Sequence, residues 1–188
     1  MNKLRSAKHF LTGKTRTFIL AIAQLMPRSH RSGFWLRVGH KAWKLAGIKA
    51  AHPVFIDKGF KCINPTNIAL GRYVSLGHDN HIWAFDTVNI GDYTQTAKDL
   101  LIISGSHEVN SLSPKNNQQV VIGAGCWIGA RVTILGGVTI GKGVVIGACS
   151  VVNKNIPDFA VVAGNPAKIL RYREPDDEQW NPFIKYQI

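Results

Sequence analysis

Aliphatic residues recur at every sixth position through the C-terminal half of the chain. They are Ile122, Ile128, Ile134, Ile140, Ile146 and Val152. Glycine directly follows four of them, and small or β-branched residues stand four positions after them at Cys126, Val132, Val138, Val144 and Ser150. Helical periodicity cannot generate a strict period of six, and simple strand alternation does not place glycine after an aliphatic residue. The pattern predicts short strands joined by corners, with the aliphatic side chains pointing inward and the glycines turning the chain.

Three units of six residues, 18 in all, form one triangular coil, and stacked coils bury a continuous aliphatic column. The same period runs less regularly upstream, at Leu70, Leu76, Ile82 and Val88. Its phase then shifts at Ile90, and a polar stretch over residues 108–119 interrupts it before it restarts at Val120. Such a stretch is typical of a loop extruded from one corner of a solenoid, where insertions often carry function.

The pattern divides the chain into three regions. Residues 1–52 are predicted to form a basic helical segment, residues 53–169 the solenoid, and residues 170–188 a short C-terminal extension. Helical spacing predicts one helix over residues 32–48, with an apolar face formed by Trp35, Val38, Ala42 and Leu45.

Two further helices are predicted near the ends of the chain. An earlier helical piece covers about residues 8–26, and the acidic stretch over residues 174–178 is typical of the start of a short terminal helix. Between the solenoid and that stretch, the pair Asn165-Pro166 predicts a turn.

Composition excludes several classes of protein. With 188 residues and 45% hydrophobic residues, the chain can bury a sizeable core, which excludes wholesale disorder. Three cysteines without paired spacing argue against a disulfide scaffold and favour a reducing compartment. The longest apolar stretch, residues 17–26, is too short to span a bilayer, so no transmembrane helix is predicted.

The net charge of +12 belongs to one segment. Residues 1–56 carry eleven Lys and Arg and no Asp or Glu, whereas the remainder carries 12 basic and 11 acidic residues. A near-neutral solenoid argues against nucleic acid as a partner. The basic segment is interpreted as a cap on the first coil, as a surface that contacts an anionic membrane, or as both.

Two stretches carry a resemblance to a known family. Residues 120–171 read VVIGAGCWIGARVTILGGVTIGKGVVIGACSVVNKNIPDFAVVAGNPAKILR, and residues 102–110 read IISGSHEVN. They resemble the hexapeptide-repeat acyltransferases, in the branch that holds galactoside and maltose acetyltransferases and surface-polysaccharide O-acetyltransferases such as the colanic-acid enzymes. Similarity covers roughly residues 68–171.

The resemblance implies an all-β fold, a left-handed parallel β-helix, and a homotrimer that binds acetyl-CoA between neighbouring subunits without a metal. It also implies O-acetylation of a saccharide hydroxyl, in the synthesis of an exopolysaccharide or lipopolysaccharide. The implied acceptor is a saccharide, either free or lipid-linked. The expected location is the cytoplasm, at the inner face of the plasma membrane if the basic segment binds lipid.

His107 matches the family's catalytic histidine and lies at the edge of the polar loop. Acetyl transfer from a thioester to an alcohol requires a base for the hydroxyl proton, a donor to the tetrahedral oxyanion and a proton for the leaving thiolate. One imidazole can act first as base and then as acid. The resemblance implies direct transfer, without a covalent acyl-enzyme.

The resemblance also assigns residues to the donor side. The backbone N–H of Ala130 faces the thioester oxygen, and Ala148 leaves room for the pantetheine arm. The other positions that match cofactor contacts are Trp127, Asn153, Lys154, Lys168 and Arg171. Asn153 replaces the usual threonine of a Thr-Lys pair, and the two cations of the terminal motif suit the phosphates of CoA. The repeat predicts that the Trp127 side chain projects outward.

The acceptor side is predicted around the sequence GHDNHIW, residues 77–83. His78 and Asp79 are candidates to orient the catalytic histidine or to hold the acceptor hydroxyl, and Asp79 is equally suited to a turn. Trp83 suits stacking on a sugar ring as well as cover of the coil.

Three alternatives stay open from the sequence. The first is an acetyltransferase of the same fold acting on a xenobiotic or another small molecule, including an amine. The second is a γ-carbonic-anhydrase-like metal enzyme, in which His78, His81 and His107 converge on zinc, although no histidine follows His107. The third is a non-catalytic scaffold.

Overall fold

A computed structural model describes residues 33–50 and 52–174 of the chain. One helix, α1 (Gly33–Ala46), precedes a column of short strands, numbered β1 to β17 in chain order. A 3₁₀ turn, Pro65–Asn67, joins the first two coils. The helical piece predicted over residues 8–26 lies outside the described residues, as does the helix predicted over residues 174–178 apart from its first residue.

The strands form three sheets, which are the faces of a triangular solenoid. Sheet A contains β1 (Lys49–Ala50), β4 (Ile68–Leu70), β7 (Val88–Ile90), β10 (Val120–Ile122) and β13 (Thr139–Ile140). Sheet B contains β2 (Phe55–Ile56), β5 (Ser75–Leu76), β8 (Gln95–Thr96), β11 (Trp127–Ile128), β14 (Val145–Ile146), β16 (Ala160–Ala163) and β17 (Lys168–Tyr172). Sheet C contains β3 (Lys61–Ile63), β6 (His81–Trp83), β9 (Leu101–Ile103), β12 (Thr133–Ile134) and β15 (Val151–Val152).

Successive coils pair in parallel, and among the strands that the structure describes only β17 runs antiparallel, to β16. The predicted fold is therefore confirmed: a left-handed parallel β-helix of about six turns with an N-terminal helix. We number the coils 1 to 6, each beginning with its strand in sheet A except the last, which begins at β16. The turn predicted at Asn165-Pro166 is present between β16 and β17.

The coils have two lengths. In the first three coils, paired residues are 20 apart, as Phe55, Ser75 and Gln95 illustrate in sheet B. Between coils 4 and 5 the spacing is the predicted 18, as for Trp127 and Val145. The two extra residues of each early coil lie between sheet C and sheet A, which explains the phase shift seen in the sequence at Ile90.

The predicted inward residues form the core. All six aliphatic residues of the downstream repeat are at most 1% exposed, and the four upstream ones at most 4%. The smaller residues four positions later are also buried. Burying an Ile, Leu or Val side chain contributes about 1.5–3 kcal/mol each, so this column is the main source of the solenoid's stability.

The glycines after the inward residues do not turn the chain, which corrects the sequence interpretation. The residue with left-handed φ stands two positions later, as at Asp79 (φ 56°) and Arg131 (φ 57°). Gly123 instead lies against the next coil, where an added Cβ would sit 2.6 Å from the Gly141 carbonyl carbon. These glycines are required because the backbones of neighbouring coils approach too closely for a side chain.

Helix α1 covers the open end of the first coil. Ala42, Trp43 and Ala46 are buried, and the Trp43 ring meets the Phe60 ring edge-to-face at 5.2 Å. Leu45, predicted on the packed face, is 62% exposed instead. The face of α1 that packs on the first coil therefore differs from the predicted one. Trp43, which the predicted apolar face did not include, makes the contact with Phe60.

All three cysteines are free thiols, two of them buried in the coils. Burial raises the pKa of Cys62 to about 12 and that of Cys126 to about 11. The Sγ of Cys126 lies 3.1 Å from the Gly141 backbone oxygen and packs inside the repeat. These two thiols are therefore protonated and structural at neutral pH.

Candidate functional site

The predicted site residues lie at two of the three corners of the solenoid and on the sheets beside them. The corner between sheets B and C, the B–C corner, carries His78 and Asp79 in coil 2, Ala130 in coil 4 and Ala148 in coil 5. The corner between sheets C and A, the C–A corner, carries the loop with His107.

The His107 loop, residues 104–119, interrupts coil 3 between β9 and β10. His107 and Pro114 form an isolated antiparallel bridge, and the Lys115 N–H donates to the Ser106 carbonyl oxygen at 2.8 Å. The loop is thus a short folded-back hairpin, and the His107 side chain is exposed on it. An exposed imidazole on an ordered loop is accessible to substrates from outside the coil.

Ala130 and Ala148 are neighbours in successive coils. The Cys149 N–H donates to the Ala130 carbonyl oxygen at 2.8 Å, so the two B–C corners stack directly. A side chain on Gly129 would meet the Ala148 backbone nitrogen at 2.6 Å. Small residues therefore leave the backbone of this corner open to a ligand that lies along it.

The remaining donor-side candidates are all exposed. Lys168 and Arg171 lie on β17 of sheet B, opposite Ala163 and Val161. Lys168 adjoins the B–C corner of coil 6, and Arg171 lies three residues further along the strand. Trp127 is 45% exposed on sheet B, which confirms its predicted outward direction.

Asn153 and Lys154 follow β15 at the C–A corner. They are therefore on the same corner as the His107 loop and separate from the alanine pair.

The acceptor-side histidine, His78, pairs with a carboxylate of the coil below. The Nδ1 of His78 lies 2.8 Å from Oδ2 of Asp57, whose side chain is 10% exposed. Asp79 is an exposed corner residue with left-handed φ, and its N–H donates to the Lys58 carbonyl oxygen at 3.1 Å. Asp57 thus orients His78 from the coil below, while Asp79 has the turn geometry weighed as the alternative.

Trp83 lies on sheet C, and its carbonyl oxygen accepts the N–H of Ser104, the first residue of the His107 loop, at 3.0 Å. It is 39% exposed and pairs in register with Ile63 below and Ile103 above. Leu135 is also exposed on this face, directly after Ile134, the partner of Ile102. We call Ile63, Trp83, Ile103 and Leu135 the sheet C apolar column. A contiguous apolar surface of this kind is typical of an interaction site.

Within one chain, the two halves of the predicted chemistry lie at different corners. The His107 loop projects from the C–A corner, whereas Ala130 and Ala148 lie at the B–C corner. The face of sheet C separates them.

The histidines do not support the zinc alternative. Across residues 33–50 and 52–174, no three His, Cys, Asp or Glu side chains form a group that could hold a metal ion. His78 is paired with Asp57, and His81 projects from β6 on sheet C.

Two aspartates that the sequence analysis did not single out take part in this region. Asp57 pairs with His78, and Asp86 accepts hydrogen bonds at the base of the His107 loop. The period of six alone does not predict these contacts. Each aspartate bonds to a residue of another coil, so the number of residues in a coil must be known first.

Comparison with known proteins gives a consistent picture. Residues 119–154 match the family described as bacterial transferase hexapeptide (six repeats). The chain is 34% identical over 131 residues to the putative colanic acid biosynthesis acetyltransferase WcaF of Escherichia coli K12, covering 69% of this chain and 72% of that protein. It is 33% identical over 155 residues to the galactoside O-acetyltransferase of the same organism, covering 80% and 70%.

A solved structure extends the comparison. The maltose O-acetyltransferase from Clostridium difficile 630 superposes with a TM-score of 0.70 at 26% identity, covering 88% of this chain and 89% of that one.

Proposed function

The chain belongs to the hexapeptide-repeat acetyltransferases, and we propose that it moves an acetyl group from acetyl-CoA to a saccharide hydroxyl. A relative named for colanic acid biosynthesis and two proteins named as galactoside and maltose O-acetyltransferases support a saccharide acceptor. The relative named for colanic acid biosynthesis favours an acceptor in surface-polysaccharide synthesis, either free or lipid-linked.

The observation that carries the proposal is the His107 loop. It is the one long interruption of the described solenoid, and it presents an exposed imidazole from an ordered hairpin. In the proposed reaction, His107 removes the proton from the acceptor hydroxyl as its oxygen attacks the thioester carbonyl. The Ala130 N–H donates to the oxyanion that forms, and the protonated imidazole then gives its proton to the departing CoA thiolate.

A complete site in this proposal requires two protomers. The imidazole and the alanine pair lie at different corners of one chain, so the C–A corner of one protomer would face the B–C corner of its neighbour. The sheet C apolar column between those corners supports such a contact, because burial in an interface would remove its exposed Trp83 and Ile63 from water. A homotrimer, as in the family, supplies three equivalent sites.

On the donor side, small residues and cations support binding of CoA. Ala130 and Ala148 admit the pantetheine arm along the B–C corner, and Trp127 covers it from sheet B. Lys168 adjoins the same corner in coil 6 and Arg171 lies further along β17, and their charge suits the CoA phosphates. Asn153 and Lys154 contact CoA from the neighbouring protomer's C–A corner. His78, Asp79 and Trp83 remain the proposed acceptor contacts.

The test is release of free CoA from acetyl-CoA in the presence of a panel of acceptors. The panel contains simple sugars, nucleotide sugars, polysaccharide repeat units, chloramphenicol and an amino sugar. We expect CoA release to depend on a saccharide, and we expect the product to contain an acetyl ester that mild alkali cleaves. CoA release with the amino sugar alone, giving an amide that is stable to alkali, would contradict O-acetylation.

We also propose that the helix-capped end contacts an anionic membrane surface. Arg37, Lys41 and Lys44 are exposed on α1, and partial burial together with the charges of Lys44 and His52 holds the pKa of His40 below its ordinary value. Residues 1–56 contain no acid to offset this charge. No helix within residues 33–50 and 52–174 combines the length and apolar character needed to span a bilayer.

Charge reversal on α1 tests this contact. The double variant Lys41→Glu/Lys44→Glu is expected to lower partitioning onto vesicles containing phosphatidylserine at least about tenfold, since each cation near such a surface contributes about 1 kcal/mol. Co-sedimentation measures it, and Lys98→Glu/Lys142→Glu is the control of equal net charge on other coils. Equal losses in both variants, or equal binding to uncharged vesicles, would contradict a contact through α1.

A further inference from the structure

Asp86 joins the two ends of the His107 loop. At the start of the loop, the fully buried Ser104 donates its hydroxyl to the Asp86 carbonyl oxygen at 2.6 Å. At the end of the loop, the Gln118 N–H donates to the Asp86 carboxylate, with a nitrogen to Oδ2 distance of 3.0 Å. Asp86 belongs to the C–A corner of coil 2, so one residue of the coil below holds both ends.

The Asp86 side chain is itself fixed. Its other carboxylate oxygen, Oδ1, accepts the Thr87 N–H at 2.6 Å. The Asp86 N–H donates to the Ser104 carbonyl oxygen at 2.8 Å. Both carboxylate oxygens and the backbone are therefore committed, and the side chain has little rotational freedom.

Coil 4, above the loop, also lies close to both loop ends. An added Cβ on Gly136 would meet Oε1 of Gln118 at 2.8 Å and the Gly105 nitrogen at 3.1 Å, so Gly136 contacts both ends of the loop. Phe85 covers Gly105 from below, with its Cδ2 at 2.8 Å from the position of a Cβ there. The two loop ends are thus held between coils 2 and 4, and His107 follows Gly105 by two residues.

Only a carboxylate fits this role. Its two oxygens accept from two separate backbone N–H groups, those of Thr87 and Gln118, which precede β7 and β10 where the chain enters sheet A. An asparagine of the same shape would turn an NH₂ group toward the N–H of either Thr87 or Gln118. One of the two hydrogen bonds would be replaced by a contact between donors.

We propose that Asp86 is a positioning residue of the acetyltransferase, which holds the loop so that the His107 imidazole stands at one place at the C–A corner. The proposal rests on the proposed function in one respect, that His107 is the base. Loss of the Asp86 carboxylate frees the Gln118 end of the loop from coil 2, while the backbone bonds to Ser104 remain. A resulting shift of the base by about 1 Å can cost a hundredfold in rate.

The test compares Asp86→Asn and Asp86→Ala with Asp92→Ala. Asp92 is the matched control because its carboxylate also accepts a backbone N–H from the preceding coil, that of Arg72 at 2.7 Å, but at the A–B corner away from the loop. We expect kcat to fall about 10- to 100-fold in the Asp86 variants, with KM for acetyl-CoA within about twofold of wild type. Asp92→Ala is expected to retain wild-type kcat.

A second measurement reports the loop without reference to activity. Lys115 lies in the loop, and its N–H is bonded to Ser106, so trypsin cleavage of the native protein after Lys115 reports loop opening. We expect cleavage to accelerate about tenfold or more in the Asp86 variants and to be unchanged in Asp92→Ala. Asp86→Asn keeps the volume of the side chain and serves if Asp86→Ala does not fold.

The outcomes separate the two proposals. Three results would each overturn the role of Asp86. They are a wild-type rate of cleavage in Asp86→Asn, faster cleavage of the Asp86 variants with unchanged kcat, and an equal loss of kcat in Asp92→Ala. If His107→Ala keeps full activity while the Asp86 variants cleave faster and lose kcat, the base is misassigned. The positioning of the loop by Asp86 then stands.

Discussion

Replacing His107 by alanine is expected to lower kcat for acetyl transfer by about 10²- to 10⁴-fold, because general base catalysis contributes on that order. KM for acetyl-CoA is expected to change little, since Ala130, Ala148 and Lys168 follow one corner through coils 4 to 6, away from the loop. Release of CoA at saturating saccharide measures both quantities.

The matched control for this variant is His52→Ala. It makes the same change at an exposed histidine near the capped end of the solenoid. It is expected to retain the wild-type rate. Saccharide-dependent transfer that persists at full rate in His107→Ala would remove the imidazole from the proposed mechanism, whatever the identity of the acceptor.

The second large effect concerns stability. Gly123→Ala is expected to lower the free energy of unfolding by about 1–3 kcal/mol, because the new Cβ would lie 2.6 Å from the Gly141 carbonyl carbon and the Lys142 nitrogen. These are backbone atoms, so relief requires coils 4 and 5 to move apart along a column of paired strands. Thermal unfolding at one protein concentration measures the change, expected as a fall in Tm of several degrees.

Gly39→Ala makes the same chemical change and is expected to have the opposite effect on stability. Gly39 lies inside α1, and an added Cβ there meets no atom within 4 Å. Alanine is favoured over glycine in a helix by about 1 kcal/mol, so this variant is expected to be slightly more stable. Equal destabilisation by both variants would show that close coil contact is not the reason for the glycine at position 123.

The core of the solenoid was predictable because its signal is local. Each inward residue is followed six positions later by the next, so the column from Ile122 to Val152 can be read without knowing what it packs against. Burial at or below 1% confirms all six positions. The outward direction of Trp127 follows from the same alternation, because it directly follows the inward Cys126.

The role of the glycines was not predictable in the same way. A glycine after an aliphatic residue suits a turn equally well, and only the distance to the next coil separates the two explanations. The contact of Gly123 with Gly141 joins residues 18 apart. The 20-residue spacing of the early coils is likewise set by pairing between strands, and the sequence shows it only as a shift in phase.

In the candidate site as well, local motifs were predictable and contacts between coils were not. His107 and the corner alanines could be predicted because a contiguous motif carries each of them. The pair of Asp57 with His78 joins coils 1 and 2, and that of Asp86 with Gln118 joins the C–A corner of coil 2 to the far end of the loop. Neither Asp57 nor Asp86 stands in a recognisable motif, so the sequence alone did not single out either residue.

The reversal of the last strand has a consequence for growth of the solenoid into fibres. Parallel coils could in principle continue from one molecule to the next, since each exposes the backbone of its strands at the end of a sheet. On sheet B, β17 runs antiparallel to β16 and presents a strand of the wrong direction to an incoming coil. At the opposite end, Trp43 of α1 packs on Phe60 and covers the first coil. Within residues 33–50 and 52–174, both ends of the solenoid therefore oppose end-to-end polymerisation, whereas its side faces carry exposed strands on which copies of this chain can assemble.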